Sequence, residues 1–98
     1  MNEAQVQQQI TDYLKARGIW HYVTHRSLFP PPPENKGITD ICGIYQGKPL
    51  YIEVKGPRGK TSQAQLNFLA NAIDQGAVAF VADSLDVVID QLELPVSL

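Results

Sequence analysis

Cysteine is nearly missing from this chain: Cys42 is the only one in 98 residues. That excludes an internal disulfide framework and any cysteine-built zinc site, and it leaves Cys42 to be read as a small buried side chain. Long apolar runs are missing as well. Nothing approaches the roughly 18 consecutive apolar residues of a membrane-spanning helix. The N-terminal residues MNEAQVQQQI lack the basic and then apolar pattern of a secretory leader, so a soluble, cytoplasmic protein is expected. Basic residues vanish after Lys60, where Asp74, Asp83, Asp86, Asp90 and Glu93 stand alone.

The net charge is only −2, which evenly spread would argue against a nucleic-acid partner. It is not evenly spread. Residues 36 to 60 hold Lys36, Lys48, Lys55, Arg58 and Lys60 against Asp40 and Glu53, a pattern that fits a local polyanion-facing surface with an acidic back. On charge alone an ordinary solvated loop fits equally well. The length and the 44% hydrophobic content describe one domain, residues 1 to 98. A domain this small buries only about 60–65% of its unfolded surface, so burial against a second copy would help and a homodimer is expected.

The element pattern is legible from spacing and punctuation. Asn2 caps a first helix with Glu3 in its opening turn and Val6, Ile10, Tyr13 and Leu14 on one face, stopping at Gly18. Ile19 to His25 reads as a strand. Ser27 to Gly37, with prolines at 30 to 33, is a stiff extended loop. Ile38 to Tyr45 and Leu50 to Lys55 form a hairpin around a turn at Gln46-Gly47-Lys48-Pro49. Ser62, with Gln65 three residues on, makes a capping box for a second helix whose apolar stripe is Leu66, Leu69, Ala70 and Ile73. Ala77 to Ala82 is a buried strand, and Ser84 caps a last helix, Leu85 to Leu92, with Pro95 beyond. The order α-β-β-β-α-β-α predicts an α/β fold, a mixed sheet flanked by helices.

Glu53 and Lys55 lie two apart on the third strand, so both leave one face of the sheet about 7 Å from each other while Ile52 and Val54 face the core. Charges on an inner strand cost free energy unless paired or ligand-bound. Asp40 sits near the start of the neighbouring strand, thirteen residues from Glu53, and whether the two share a face depends on the turn. Two converging carboxylates repel unless a cation lies between them, and hard oxygen ligands favour Mg²⁺ or Mn²⁺. The spacing also fits a surface ion pair between Glu53 and Lys55 on an edge strand, with Asp40 capping a turn. His21 and His25 alternate onto one face, which suits packing or DNA contact better than a histidine-only metal site. Tyr45 and Tyr51 read as hairpin packing, and Trp20 as core or dimer interface.

Asp40 within GITDI, then IEVK at Ile52 to Lys55, then a helix beginning TSQAQ resembles the Asp, Glu-x-Lys signature of the PD-(D/E)XK nuclease superfamily. More narrowly it resembles the stand-alone, virus-type VRR-NUC domains related to Holliday-junction resolvases. The resemblance runs from Glu3 to about Leu92 and implies a restriction-endonuclease-like αβββαβα core. It implies Asp40 and Glu53 as metal ligands, joined by the Val54 carbonyl, with Lys55 orienting the attacking water and stabilising phosphate charge. Glu3 matches the glutamate of the N-terminal helix. Gln65 matches the helix glutamine, with Gln63 as its rival. Thr39 stands where the family usually has proline. The implied activity is Mg²⁺-dependent hydrolysis of DNA, Mn²⁺ substituting, on branched or junction-like substrates, by a homodimer in a bacterial or phage-infected cell. Lys36, Arg58 and Lys60 would contact flanking phosphates, with Arg26 and His25 bordering the groove. The alternative is a non-catalytic nucleic-acid-binding domain that keeps the nuclease fold.

Overall fold

The computed structural model describes residues 1–24 and 37–93. His25, Arg26, the proline-rich loop as far as Lys36, and Pro95 lie outside the described residues. The elements follow in the expected order: α1 (Glu3–Ala16), β1 (His21–Val23), β2 (Ile41–Tyr45), β3 (Lys48–Val54), α2 (Gln63–Asp74), β4 (Val78–Ala82) and α3 (Leu85–Leu92). The fold is α+β. One four-stranded mixed sheet has the spatial order β1-β2-β3-β4, with β1/β2 and β2/β3 antiparallel and β3/β4 parallel. No helix among the described residues is long and apolar enough to cross a membrane.

The start of α1 is held by a reciprocal cap: the Gln5 N–H donates to the Asn2 side-chain oxygen at 2.9 Å, and the Asn2 N–H donates to Gln5 Oε1 at 2.9 Å. Its inward stripe, Val6, Ile10 and Leu14, packs with Val88 and Leu92 of α3 over one face of the sheet, where Ile41, Leu50, Ile52, Val54, Phe80 and Ala82 complete the core. The far ends of α1 and α3 are joined by Arg17 and Glu93 at 2.7 Å, and the Tyr45 hydroxyl donates to the Leu92 carbonyl at 2.5 Å.

Two details depart from expectation. The hairpin turn is only two residues long, Gln46 (φ 51°) and Gly47 (φ 78°), so Lys48 and Pro49 belong to β3. Both turn residues have the positive φ that a type I′ turn requires, and this geometry suits the twist of the flanking strands. Pro49 is tolerated because positions flanking such a turn alternate, and the residue opposite Ile44 donates nothing to β2. Ser84 has extended backbone but makes no side-chain cap bond; α3 is seated instead by the burial of Val88 and Leu92.

α2 lies on the other face, over β3 and β4, with Phe68 edge-to-face on Tyr51 at 5.1 Å between ring centroids. Of its expected apolar stripe only Leu69 is buried, and Leu66, Ala70 and Ile73 stand exposed. The helix instead turns the row Gln65, Phe68, Leu69 and Ala72 towards the sheet, rotated by about one residue from the expected stripe.

Gln46 occupies a left-handed conformation that costs a residue with a Cβ about 1–2 kcal/mol, and asparagine tolerates it best in this turn type. Gln46→Asn is therefore expected to stabilise the fold by roughly 0.5–1 kcal/mol, seen as a raised denaturation midpoint with an unchanged m-value. A lowered midpoint would show that the turn does not hold this geometry in solution.

Candidate functional site

The two-residue turn settles what spacing alone left open. In the β2/β3 ladder Ile41 pairs with Ile52, so the next step sets Asp40 opposite Glu53. In the β1/β2 ladder Val23 pairs with Ile41, so Thr24 falls opposite Asp40, and its N–H donates to the Asp40 carbonyl at 2.8 Å. Thr24, Asp40 and Glu53 thus form a row across three chain segments, on the face that also carries Tyr51.

Asp40 is where β2 stops pairing. In the alternating ladder the Val54 N–H would next bond the carbonyl of residue 39. The Thr39 carbonyl instead accepts from Thr24 Oγ1 at 2.8 Å, and the Val54 N–H donates to Asp40 Oδ2 at 2.9 Å. The carboxylate takes the place of a strand. The fully buried Thr39 hydroxyl donates to the Ile41 carbonyl at 3.0 Å, which fixes the bend leading into Asp40. Gly37 is needed at the start of this segment: its φ is +83°, and a Cβ there would meet the Ala64 carbonyl oxygen of α2.

Glu53 is 2% exposed on a strand paired on both sides, which excludes the surface ion pair on an edge strand. Its Oε2 is buried and has no hydrogen-bond partner among the described residues. Burial pushes its carboxyl up to about 8, and the hydrogen-bonding and charge of the adjacent Asp40 push the same way, while the Lys55 ammonium pulls back and Glu3 adds a smaller push upward. Asp40, Lys55 and Glu3 are therefore all within electrostatic reach of Glu53. Lys55 is half-buried, and its backbone N–H donates to the Ala82 carbonyl at 3.0 Å.

The turn after β3 closes on both neighbours. A Cβ at Gly59 would press on the Lys55 stem, and one at Gly56 on the Glu3 backbone. This segment carries Arg58 and Lys60, both exposed. Backbone alternation along β3 sends the Val54 carbonyl to the same side as its N–H, towards Asp40. Gln65 Oε1 is engaged by the Ser62 N–H at 2.9 Å in a capping box, and Gln63 Nε2 donates to Asn67 at 2.9 Å. An open groove of about 600 Å³ runs from Asp40 past Glu3 along α1, bordered by Gln7, Gln8, Thr11 and Thr24.

Thr24 and the α1 glutamines are the site-bordering residues that sequence reasoning missed. Thr24 carried a signal in principle, its pairing position opposite Asp40, but only a known β1/β2 register reveals it. Lys36 and Arg26 lie outside the described residues.

Among the described residues no cluster of three or more His, Cys, Asp or Glu side chains is placed to hold a metal ion. The donor set is instead two carboxylates, Asp40 and Glu53, with the Val54 carbonyl beside them. Oxygen-only donors with a buried carboxylate oxygen lacking a partner suit a hard divalent cation that retains water. No protein-family model matches the chain, and no curated protein sequence matches it significantly.

A carboxyl raised on folding stabilises the fold while protonated. For metal-free protein the contribution of Glu53 is complete below about pH 4.5 and is lost as the pH rises through about 8. Glu53→Gln, neutral throughout, is expected to have a thermal midpoint several degrees above that of wild type at alkaline pH, the two converging in acid. Equal midpoints at alkaline pH would show that this carboxyl is solvated.

Proposed function

We propose that the chain is a Mg²⁺-dependent endonuclease that hydrolyses phosphodiester bonds of DNA, with branched, Holliday-junction-like DNA as its substrate class and Mn²⁺ able to replace Mg²⁺. One observation carries this reading: a buried glutamate with an oxygen that has no partner among the described residues, set directly across the sheet from a second carboxylate and two residues from a lysine. Burial and the neighbouring Asp40 raise this carboxyl to about 8, and strongly perturbed groups cluster at functional sites.

Asp40, Glu53 and the Val54 carbonyl hold the cation. When bound, it polarises the phosphate and makes water a usable nucleophile near neutral pH. The chain supplies the rest. The Val54 N–H locks the Asp40 carboxylate in position, and burial of Glu53 keeps water from competing for its oxygens. Lys55 places its ammonium where negative charge accumulates on the phosphate in the transition state. Lys55 also orients the attacking water, Glu3 would lie near the cation from α1, and Gln65 matches the helix glutamine of α2. Arg58 and Lys60 hold neighbouring phosphates, contacts that set register without reading sequence, as Lys36 and Arg26 would from the preceding loop.

The test is incubation of the purified protein with supercoiled plasmid and with a four-way junction, in Mg²⁺, Mn²⁺ or EDTA. Cleavage is expected with either metal and not in EDTA. Asp40→Asn, Glu53→Gln and Lys55→Ala are each expected to lower the rate at least about 100-fold while leaving the circular dichroism spectrum unchanged. Variants that cleave at the wild-type rate would reject the assigned roles. Junction binding by wild type without cleavage in either metal would favour a non-catalytic DNA-binding domain instead.

A further inference from the structure

One backbone donor, the Val54 N–H, stands between two acceptors. Along β2 the even-numbered residues turn their backbone groups to β1: the Thr24 N–H donates to the Asp40 carbonyl at 2.8 Å and the Ile44 N–H to the Trp20 carbonyl at 3.1 Å. The odd-numbered residues turn theirs to β3, where Gly43 pairs with Leu50 and Ile41 with Ile52. By that alternation the next pair is Thr39 with Val54, and the Val54 N–H belongs to the Thr39 carbonyl. It bonds Asp40 Oδ2 instead, at 2.9 Å. The carbonyl it would have taken is occupied from the opposite side: Thr24 Oγ1 donates to it at 2.8 Å and lies 3.2 Å from the Asp40 carbonyl.

We propose that Thr24 is a positioning residue of the cation site: its hydroxyl, by engaging the Thr39 carbonyl, keeps the β2–β3 ladder from closing one pair further and leaves the Val54 N–H to hold the Asp40 carboxylate. This role rests on the reading of Asp40 as a cation ligand, through which Thr24 acts. The closed pair would cost the site twice. Residues of a hydrogen-bonded antiparallel pair exchange both bonds, so closure turns the Val54 N–H away from Asp40 and also spends the Val54 carbonyl on the Thr39 N–H. Two of the three oxygen donors named above depend on that one pair staying open.

Burial makes the hydroxyl decisive. Thr39 is fully buried, and a buried carbonyl without a donor is costly. A hydroxyl has a single proton to give, and the shorter contact places it on Thr39. With that proton removed, the Val54 N–H is the donor the ladder itself offers. Asp40 is only half-buried, so its released carboxylate can be hydrated. The exchange replaces one side-chain bond to the Thr39 carbonyl by one backbone bond, which leaves the fold about as well bonded as before. The rest of the bend does not depend on Thr24 Oγ1: the Thr24 N–H still holds the Asp40 carbonyl, and the Thr39 hydroxyl still donates to the Ile41 carbonyl at 3.0 Å. Thr24 thus governs the ligands more than the stability, whereas a residue that merely braced the fold would govern both together.

Scalar coupling across hydrogen bonds, measured by NMR on the metal-free, isotope-labelled chain, identifies the acceptor of the Val54 N–H directly, and titration with Mn²⁺ reads the site. In wild type the Val54 nitrogen is expected to couple to the Asp40 carboxyl carbon. In Thr24→Val, which keeps the side-chain shape and loses the hydroxyl, it should couple to the Thr39 carbonyl carbon. Mn²⁺ affinity should fall about 10–100-fold in that variant at an unchanged thermal midpoint, while Thr24→Ser keeps the wild-type coupling and affinity. Coupling to Asp40 that persists in Thr24→Val overturns the proposal, as does a fall in midpoint and affinity together in both variants. Mn²⁺ binding that Thr24→Val retains in full overturns this role and leaves the cation site standing. A wild type that binds no Mn²⁺ rejects the cation site itself, and the role of Thr24 falls with it.

Discussion

The hydrogen bond from the Val54 N–H to the Asp40 carboxylate is the point on which the candidate site turns. A β-ladder that stops must leave its next backbone donor to water or to something else. Here a side chain takes it, and the same carboxylate is thereby held opposite Glu53 and not turned to solvent. The bend that permits this is itself bonded: Thr24 occupies the Thr39 carbonyl, and the Thr39 hydroxyl reaches the Ile41 carbonyl.

Glu53 shows the opposite side of that arrangement. Its position is fixed by pairing on both sides and by Ile41, Ile52 and Val54 in the core beneath, and it is left almost wholly buried. The sheet holds an acid where the ionised form is unfavourable and where Lys55 offsets only part of the cost. Such a placement lowers stability at neutral and alkaline pH unless a cation is bound, which couples the fold to the proposed ligand.

The helices are shared unequally between the two faces of the sheet. α1 and α3 pack over one face, on β3 and β4 and with Ile41 of β2 in their core, whereas α2 is the helix on the other face among the described residues, and its position follows from the parallel connection between β3 and β4. On the α2 side, the rows of β1 and β2 lead one after another to Asp40.

Much of this was legible before any coordinates. Helix caps at Asn2 and Ser62, the glycines that follow α1 and α2, and the strand period of Ile52-Glu53-Val54-Lys55 are local signals, because capping, φ preference and side-chain alternation act within a few residues. They placed every element in order and marked Asp40, Glu53 and Lys55 as the residues of interest. Whether Asp40 and Glu53 meet was not local: it rests on one turn being two residues long, with Gln46 adopting a positive φ that its own preference opposes and the hairpin's twist imposes. Thr24 and the exposed stripe of α2 were illegible for the same reason. Leu66 and Ile73 have the spacing of a buried face, and only the rotation at which α2 packs, with Phe68 on Tyr51 and Leu69 buried, leaves them in water. Periodicity along the chain assigns a face to each residue, but which faces find a neighbour is settled by packing between segments far apart in sequence.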